Sequence, residues 1–238
     1  MAEPESPSPS PSSATLISAT LISATIDLWV RYLVPLTILS AIALSPVLGI
    51  ALLAKTPIDL GGADTERLLG WGFVALAWPC QLLLVGGAAA IARARPSRRG
   101  ALRIGIRALG RAIVPSAAAI AAVCIGGLAL ALPGLALLGL TTLAGASEAR
   151  GAAAVADSIE TARRHLVAVA LAAAALLVFD LGAVWIAKLA LLEPLSKPLR
   201  PAQLAALPRC LQMIALVFVV GAPLPASALA LIRVRDAR

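Results

Sequence analysis

The sequence predicts an all-α fold, a polytopic helical membrane bundle of about six transmembrane helices with two or three interfacial amphipathic helices. Three observations predict it: an apolar excess too large for a water-soluble chain, apolar runs of membrane-spanning length, and arginines gathered mostly between those runs.

Hydrophobic residues make up 60% of the 238 and charged residues 13%, against about 45–50% and about 25% in soluble domains. Mean hydropathy is +0.94. A chain of this length has too much surface to hide that excess from water, so a lipid-facing exterior is expected. The net charge of +8 would point to nucleic acid in a soluble protein. Here the basic residues lie in loops, and aromatics at 3% are too sparse for a base-stacking surface. Nucleic acid is therefore not expected as a partner. Cys80, Cys124 and Cys210 lie in or beside apolar runs and form no CxxC pair, so neither a disulfide framework nor a zinc site is expected.

Residues 1–13 alternate Ser and Pro and are expected to form a disordered tail. Residues 14–238 are expected to form a single helical membrane domain. A duplicated Ala-Thr-Leu-Ile-Ser at 14–18 and 19–23 opens a stretch in which Ile17, Leu21, Leu28 and Tyr32 share helical spacing. Thr15–Arg31 therefore reads as an interfacial helix with Trp29 and Tyr32 at headgroup level.

Six apolar segments follow, at Tyr32–Ala54, Leu68–Ala92, Ile113–Leu132, Pro133–Ala146, Leu166–Leu191 and Leu211–Ile232. Each is weighed against the roughly 20 residues that cross a hydrocarbon core of about 30 Å. The first exceeds a signal-peptide core and reads as an uncleaved span. The fourth is short. With Pro133-Gly134 between them, segments three and four form a tight hairpin or a kinked, partly re-entrant pair. Threaded this way, fourteen of the twenty Lys and Arg fall on one side and six on the other. The positive-inside rule makes the first side cytoplasmic and puts both termini there. The expected location is a bacterial cytoplasmic (inner) membrane.

Three stretches could carry chemistry. Arg99, Arg103, Arg107 and Arg111 recur every four residues, with Leu102, Ile106, Leu109 and Ile113 between them. At helical pitch this makes a cationic and an apolar stripe, the pattern of a helix in the headgroup plane contacting anionic lipid phosphates. A topology anchor would need the same pattern. In the second stretch, Ala154, Val155, Ser158, Ile159, Ala162 and Leu166 step by three and four. Asp157, Glu160, Arg163 and Arg164 take the other face. This reads as a second cytoplasmic interfacial helix with a Glu160–Arg164 pair and the lone His165 at its end as an interface residue. The third is Asp180, near the middle of the fifth segment, where a carboxylate must be protonated, paired or wet. It is the candidate intramembrane polar site, with Gln81 and Gln212 as possible hydrogen-bond partners.

No hydrolase elbow, P-loop, HExxH or dinucleotide fingerprint occurs. The expectation is thus a non-enzymatic membrane protein without cofactors or metal, acting as a scaffold, lipid-contacting or partner-binding module. Its expected partners are membrane lipids, through anionic headgroups on the cytoplasmic side, with a protein partner as the further candidate. The alternative is a small transporter or channel using Asp180.

The order of features has a counterpart. Ile26-Asp27-Leu28-Trp29-Val30-Arg31-Tyr32 leads into a segment containing Leu44-Ser45-Pro46, and a basic linker precedes the third segment. Leu132-Pro133-Gly134 opens the fourth, which ends at Glu148-Ala149-Arg150-Gly151 before the stretch Ala154–Arg164. In this the chain resembles, over most of residues 15–232, the bacterial six-span proteins grouped with the membrane domain of glycerophosphoryl diester phosphodiesterases. The resemblance implies fold and location only. In that family a Pro-Gly opens a span that closes on Glu-Gly. Here Ala149 and Arg150 separate Glu148 from Gly151, and Asp180 is not a feature of the group. The catalysis of those phosphodiesterases belongs to a separate soluble barrel, and no His-Arg or Glu-x-Glu-Asn stretch suggests one here.

Overall fold

The computed structural model describes residues 11–46, 63–129, 137–187 and 220–237, and side chains within 20–46, 77–126, 137–179 and 220–237, plus Leu128. Among these residues all regular structure is helical. The helices are α1 (Pro11–Arg31), α2 (Leu33–Ala43), α3 (Ala63–Ala94), α4 (Arg98–Ala129), α5 (Ala152–Arg164), α6 (Leu166–Ala187) and α7 (Pro223–Asp236), with a 3₁₀ turn at Ala144–Ala146.

α1 contains the expected interfacial helix but starts at Pro11, inside the stretch expected to be a disordered tail. Proline is well placed at a first helical position because its missing N–H would be unpaired there anyway. At Tyr32 the chain turns by 84° into α2. The first apolar segment does not continue as one helix from Tyr32, because α2 is interrupted at Leu44. Two residues on, Pro46 has no N–H to give to the carbonyl of Ile42. The hydroxyl of Ser45 donates to that oxygen instead, at 2.8 Å. Residues 47–54 of the segment lie outside the described residues.

α3 contains the second expected segment whole, and α4 joins the basic stretch to the third without a break. At 1.5 Å per residue, the 32 residues of α4 make about 48 Å, well over the hydrocarbon thickness. A separate basic helix lying flat before the third segment is therefore corrected. The arginines ride on the first turns of α4 itself. The apolar stripe is corrected too. Ala101, Gly105, Leu109 and Ala112 face the protein, while Ile106 and Ile113 are exposed on the arginine side.

Of the fourth segment, Leu137–Ala146 is a short apolar helical stretch, about 15 Å long and half the core thickness. Residues 141–146 are all buried in protein, which is where broken backbone is tolerated at membrane depth. α6 makes the fifth segment, and its junction with α5 bends by 111° at His165. α7 makes the end of the sixth and runs past Ile232 to Asp236. Among the described residues two helices are long and apolar enough to cross a membrane, Ala77–Ala94 within α3 and Arg98–Gly126 within α4. The number rises to four if each bent pair makes one span.

α3 is central and packs against α4, α7, α2, α6 and the 3₁₀ turn. Small residues at the contacts let these helices approach closely. Leu39 of α2 fills a notch that the bare backbones of Gly87 and Gly105 leave open on α3 and α4. Gly86 and Gly145 bring the 3₁₀ turn onto α3, where a methyl on either would strike backbone. Outward faces are apolar: Val34, Ile113, Ile125, Leu128 and Val167 are each more than half exposed. Such a surface suits acyl chains rather than water.

Candidate functional site

Four segments distant in sequence meet at one end of the bundle. The Tyr32 hydroxyl, on an otherwise buried ring, donates to the carbonyl of Pro96 at 2.7 Å, joining the α1–α2 bend to the α3–α4 loop. Arg93, at the end of α3, pairs with Glu148 at 3.2 Å and also donates to the carbonyl of Ala146. Arg235 of α7 reaches the carbonyl of Thr20 on α1 at 3.4 Å.

The densest contacts join α5 to α7. Gly151 caps α5 with φ 58° and ψ −132°, a conformation open to glycine and closed to most residues. The chain then turns so that Ala154, Ser158, Thr161 and Ala162 are buried. Ser158 is held inward by donating to the carbonyl of Leu140 at 2.8 Å. Asp157, expected on the solvent face of this helix, is half-buried. It accepts from Ser147 at 2.5 Å and pairs with Arg233 at 2.6 Å. That placement is a correction to the amphipathic reading, made by a cation 76 residues away. Leu166 also leaves the expected apolar face, because it lies beyond the bend and is 57% exposed.

Asp236 closes the network. It accepts from Thr161 at 2.9 Å and lies 3.3 Å from His165 Nε2, 3.7 Å from Arg233 and 3.8 Å from Arg164. Arg164 also holds Glu160 at 3.0 Å, the pair expected from spacing. Burial pushes the Asp236 carboxyl up, but the hydrogen bonds from Thr161 and His165 and the charge of Arg164 outweigh it. The carboxyl is held below its ordinary value. A carboxylate lowered in the folded state stabilises above its unfolded value, near 3.9, and that contribution is lost as pH falls through the folded value. Thermal stability in neutral detergent should therefore fall below about pH 4. The Asp236→Asn protein should be less stable at pH 7 and lose less on acidification, and parallel curves would contradict this.

In the order Thr161–Asp236–His165 the carboxylate lies between hydroxyl and imidazole. It ties α5 to α7 and does not place the imidazole on the hydroxyl, the contact that nucleophilic catalysis uses. Among the described residues no cluster of His, Cys, Asp and Glu could hold a metal ion.

Arg99, Arg103, Arg107 and Arg111 are all exposed along α4 and have no ion pair among the described residues. They lie outside the network of α5 and α7. Asp180 lies on α6, and its side chain falls outside the described residues, as does Gln212. Sequence reasoning missed the roles of Arg233, which entered only as one of the fourteen basic residues on the arginine-rich side, and of Asp236, which it did not single out. The one available signal was their spacing of three, with a cation and an anion on the same helical face. No family model, curated protein or solved structure matches this chain.

Proposed function

We propose that the chain is a non-enzymatic protein of a bacterial inner membrane, a lipid-contacting scaffold that works from a basic cytoplasmic face. Its topology in this reading is six crossings with both termini inside, as in the membrane-domain group that the sequence resembles. The observation that carries the reading is the meeting of four segments at one polar end. The chain leaves that end along α2, α4 and α6, and comes back to it at Arg93, at Ala146 and at Arg233. Three departures and three returns match six limbs, and the arginine bias makes their shared end the inside. Beside that end Arg99, Arg103, Arg107 and Arg111 present exposed cations, each contributing about 1 kcal/mol of attraction to an anionic leaflet.

Single cysteines at Gly61 and Pro133, in a background without native cysteines, should react with an impermeant reagent from outside only. After extraction from mixed phosphatidylglycerol and phosphatidylcholine vesicles, the protein should retain phosphatidylglycerol preferentially. Changing all four arginines to glutamine should cut that preference several-fold. Labelling of Pro133 from the cytoplasmic side would defeat the topology, and an unchanged lipid preference would defeat the lipid-contacting role.

A further inference from the structure

A cleft of about 910 Å³ opens beside the α5–α6 bend, between α1, α6 and α7. Its walls are apolar: Ile22 and Ile26 from α1, Leu171, Ala175 and Phe179 from α6, and Ala228 from α7. Thr25 also lines it, but its hydroxyl is already turned back to the carbonyl of Leu21 at 2.8 Å. At one end the lining changes character to Arg163, Arg164 and His165. Arg164 and His165 are engaged with Asp236, and Arg164 also with Glu160. Arg163 is exposed and has no ion pair among the described residues.

We infer that this cleft is a binding site for one anionic phospholipid, with an acyl chain along α6 and the headgroup phosphate at Arg163. Two features single out this occupant. One is charge: an apolar trough with a free guanidinium at its end is complementary to a molecule with one apolar limb and one anionic head. The other is length. From His165 to Phe179 the helix rises about 21 Å, compared with the roughly 15 Å that one leaflet of hydrocarbon fills. The trough is thus long enough to take the hydrocarbon of one leaflet, with its cationic end where the network of α5 and α7 marks the polar face. A peptide helix in the same trough would leave Arg163 without its counterion and would have to displace lipid from Ile22, Val167 and Leu171, all more than half exposed.

The inference rests on the membrane reading above but concerns a different set of residues from the α4 arginines. Its test is retention of phosphatidylglycerol and phosphatidylcholine by the full chain after extraction from vesicles containing both, counted by native mass spectrometry. Ala175→Trp fills the trough and should remove one bound lipid per chain. Arg163→Gln, a change at an exposed side chain that leaves the fold untouched, should weaken phosphatidylglycerol about fivefold relative to phosphatidylcholine. If both variants retain wild-type lipid, the cleft is not a lipid site and the inference is overturned. Should only the four-arginine variant of α4 lose phosphatidylglycerol, the scaffold reading stands and this one fails. A dimer in the wild type that Ala175→Trp dissolves, with lipid counts unchanged, would assign the trough to a second copy and likewise overturn it.

Discussion

Gly145→Ala is expected to destabilise the protein by about 3 kcal/mol, at the upper end of what overpacking costs. A methyl on Gly145 would run into the carbonyl oxygen and carbon of Leu82. Both sides of the clash are backbone, so no side-chain rotation can relieve it. The 3₁₀ turn would have to lift from α3, where it lies against Gly86, itself in contact with the Gly145 carbonyl. Lifting the turn also strains the neighbouring hydrogen bond from Arg93 to Ala146. A clear drop in melting temperature in mild detergent is the expected readout, with Gly86→Ala showing a similar loss. Gly110→Ala is the control: nothing lies within 4 Å of the added methyl, and alanine favours helix over glycine by about 1 kcal/mol. That variant should be as stable as wild type or more so. Equal behaviour of Gly145→Ala and Gly110→Ala would show that the turn does not dock as described.

Arg233→Met has the second largest expected effect, a loss of about 1–3 kcal/mol. The Arg233 side chain is only 12% exposed and pairs with Asp157 at 2.6 Å, with Asp236 at 3.7 Å. Removing the guanidinium takes from Asp157 its ion-pair partner and leaves Asp236 with Arg164 and His165 alone. The loss is smaller than that of a fully buried pair, because Asp157 keeps the hydroxyl of Ser147 and remains one-third exposed. Adding Asp157→Asn to Arg233→Met should recover part of the loss. Melting temperatures of the two single variants and the double variant give the coupling directly. Strict additivity would mean that the two residues do not interact.

Local order was legible to different depths along this chain. Where they are described, the apolar runs are helical apart from the turns at Leu44 and at 141–146, because a long apolar run leaves the backbone few other ways to satisfy its hydrogen bonds away from water. The Glu160–Arg164 pair was legible for a similar reason, since both partners ride on one turn. Interruptions were less legible. The break at Leu44 goes with Pro46, which has no N–H for the carbonyl of Ile42, while α4 runs on through Ile113, with Ala112 packed beside Gly86 at that junction. Which way Ile106 and Ile113 face was decided by Gly105, whose small size let Leu39 pack on the opposite side of the helix.

What the sequence determined by itself is the helical class and the presence of apolar helices long enough to cross a membrane. These follow from composition and from short-range periodicity, which act within a few turns. The polar face was decided only by tertiary structure. Asp157 with Arg233, Arg93 with Glu148 and His165 with Asp236 are separated by 55 to 76 residues, and no local pattern ties them. They meet because bare glycine backbones let the helices approach, and because half-buried charges must find partners once the helices have closed around them.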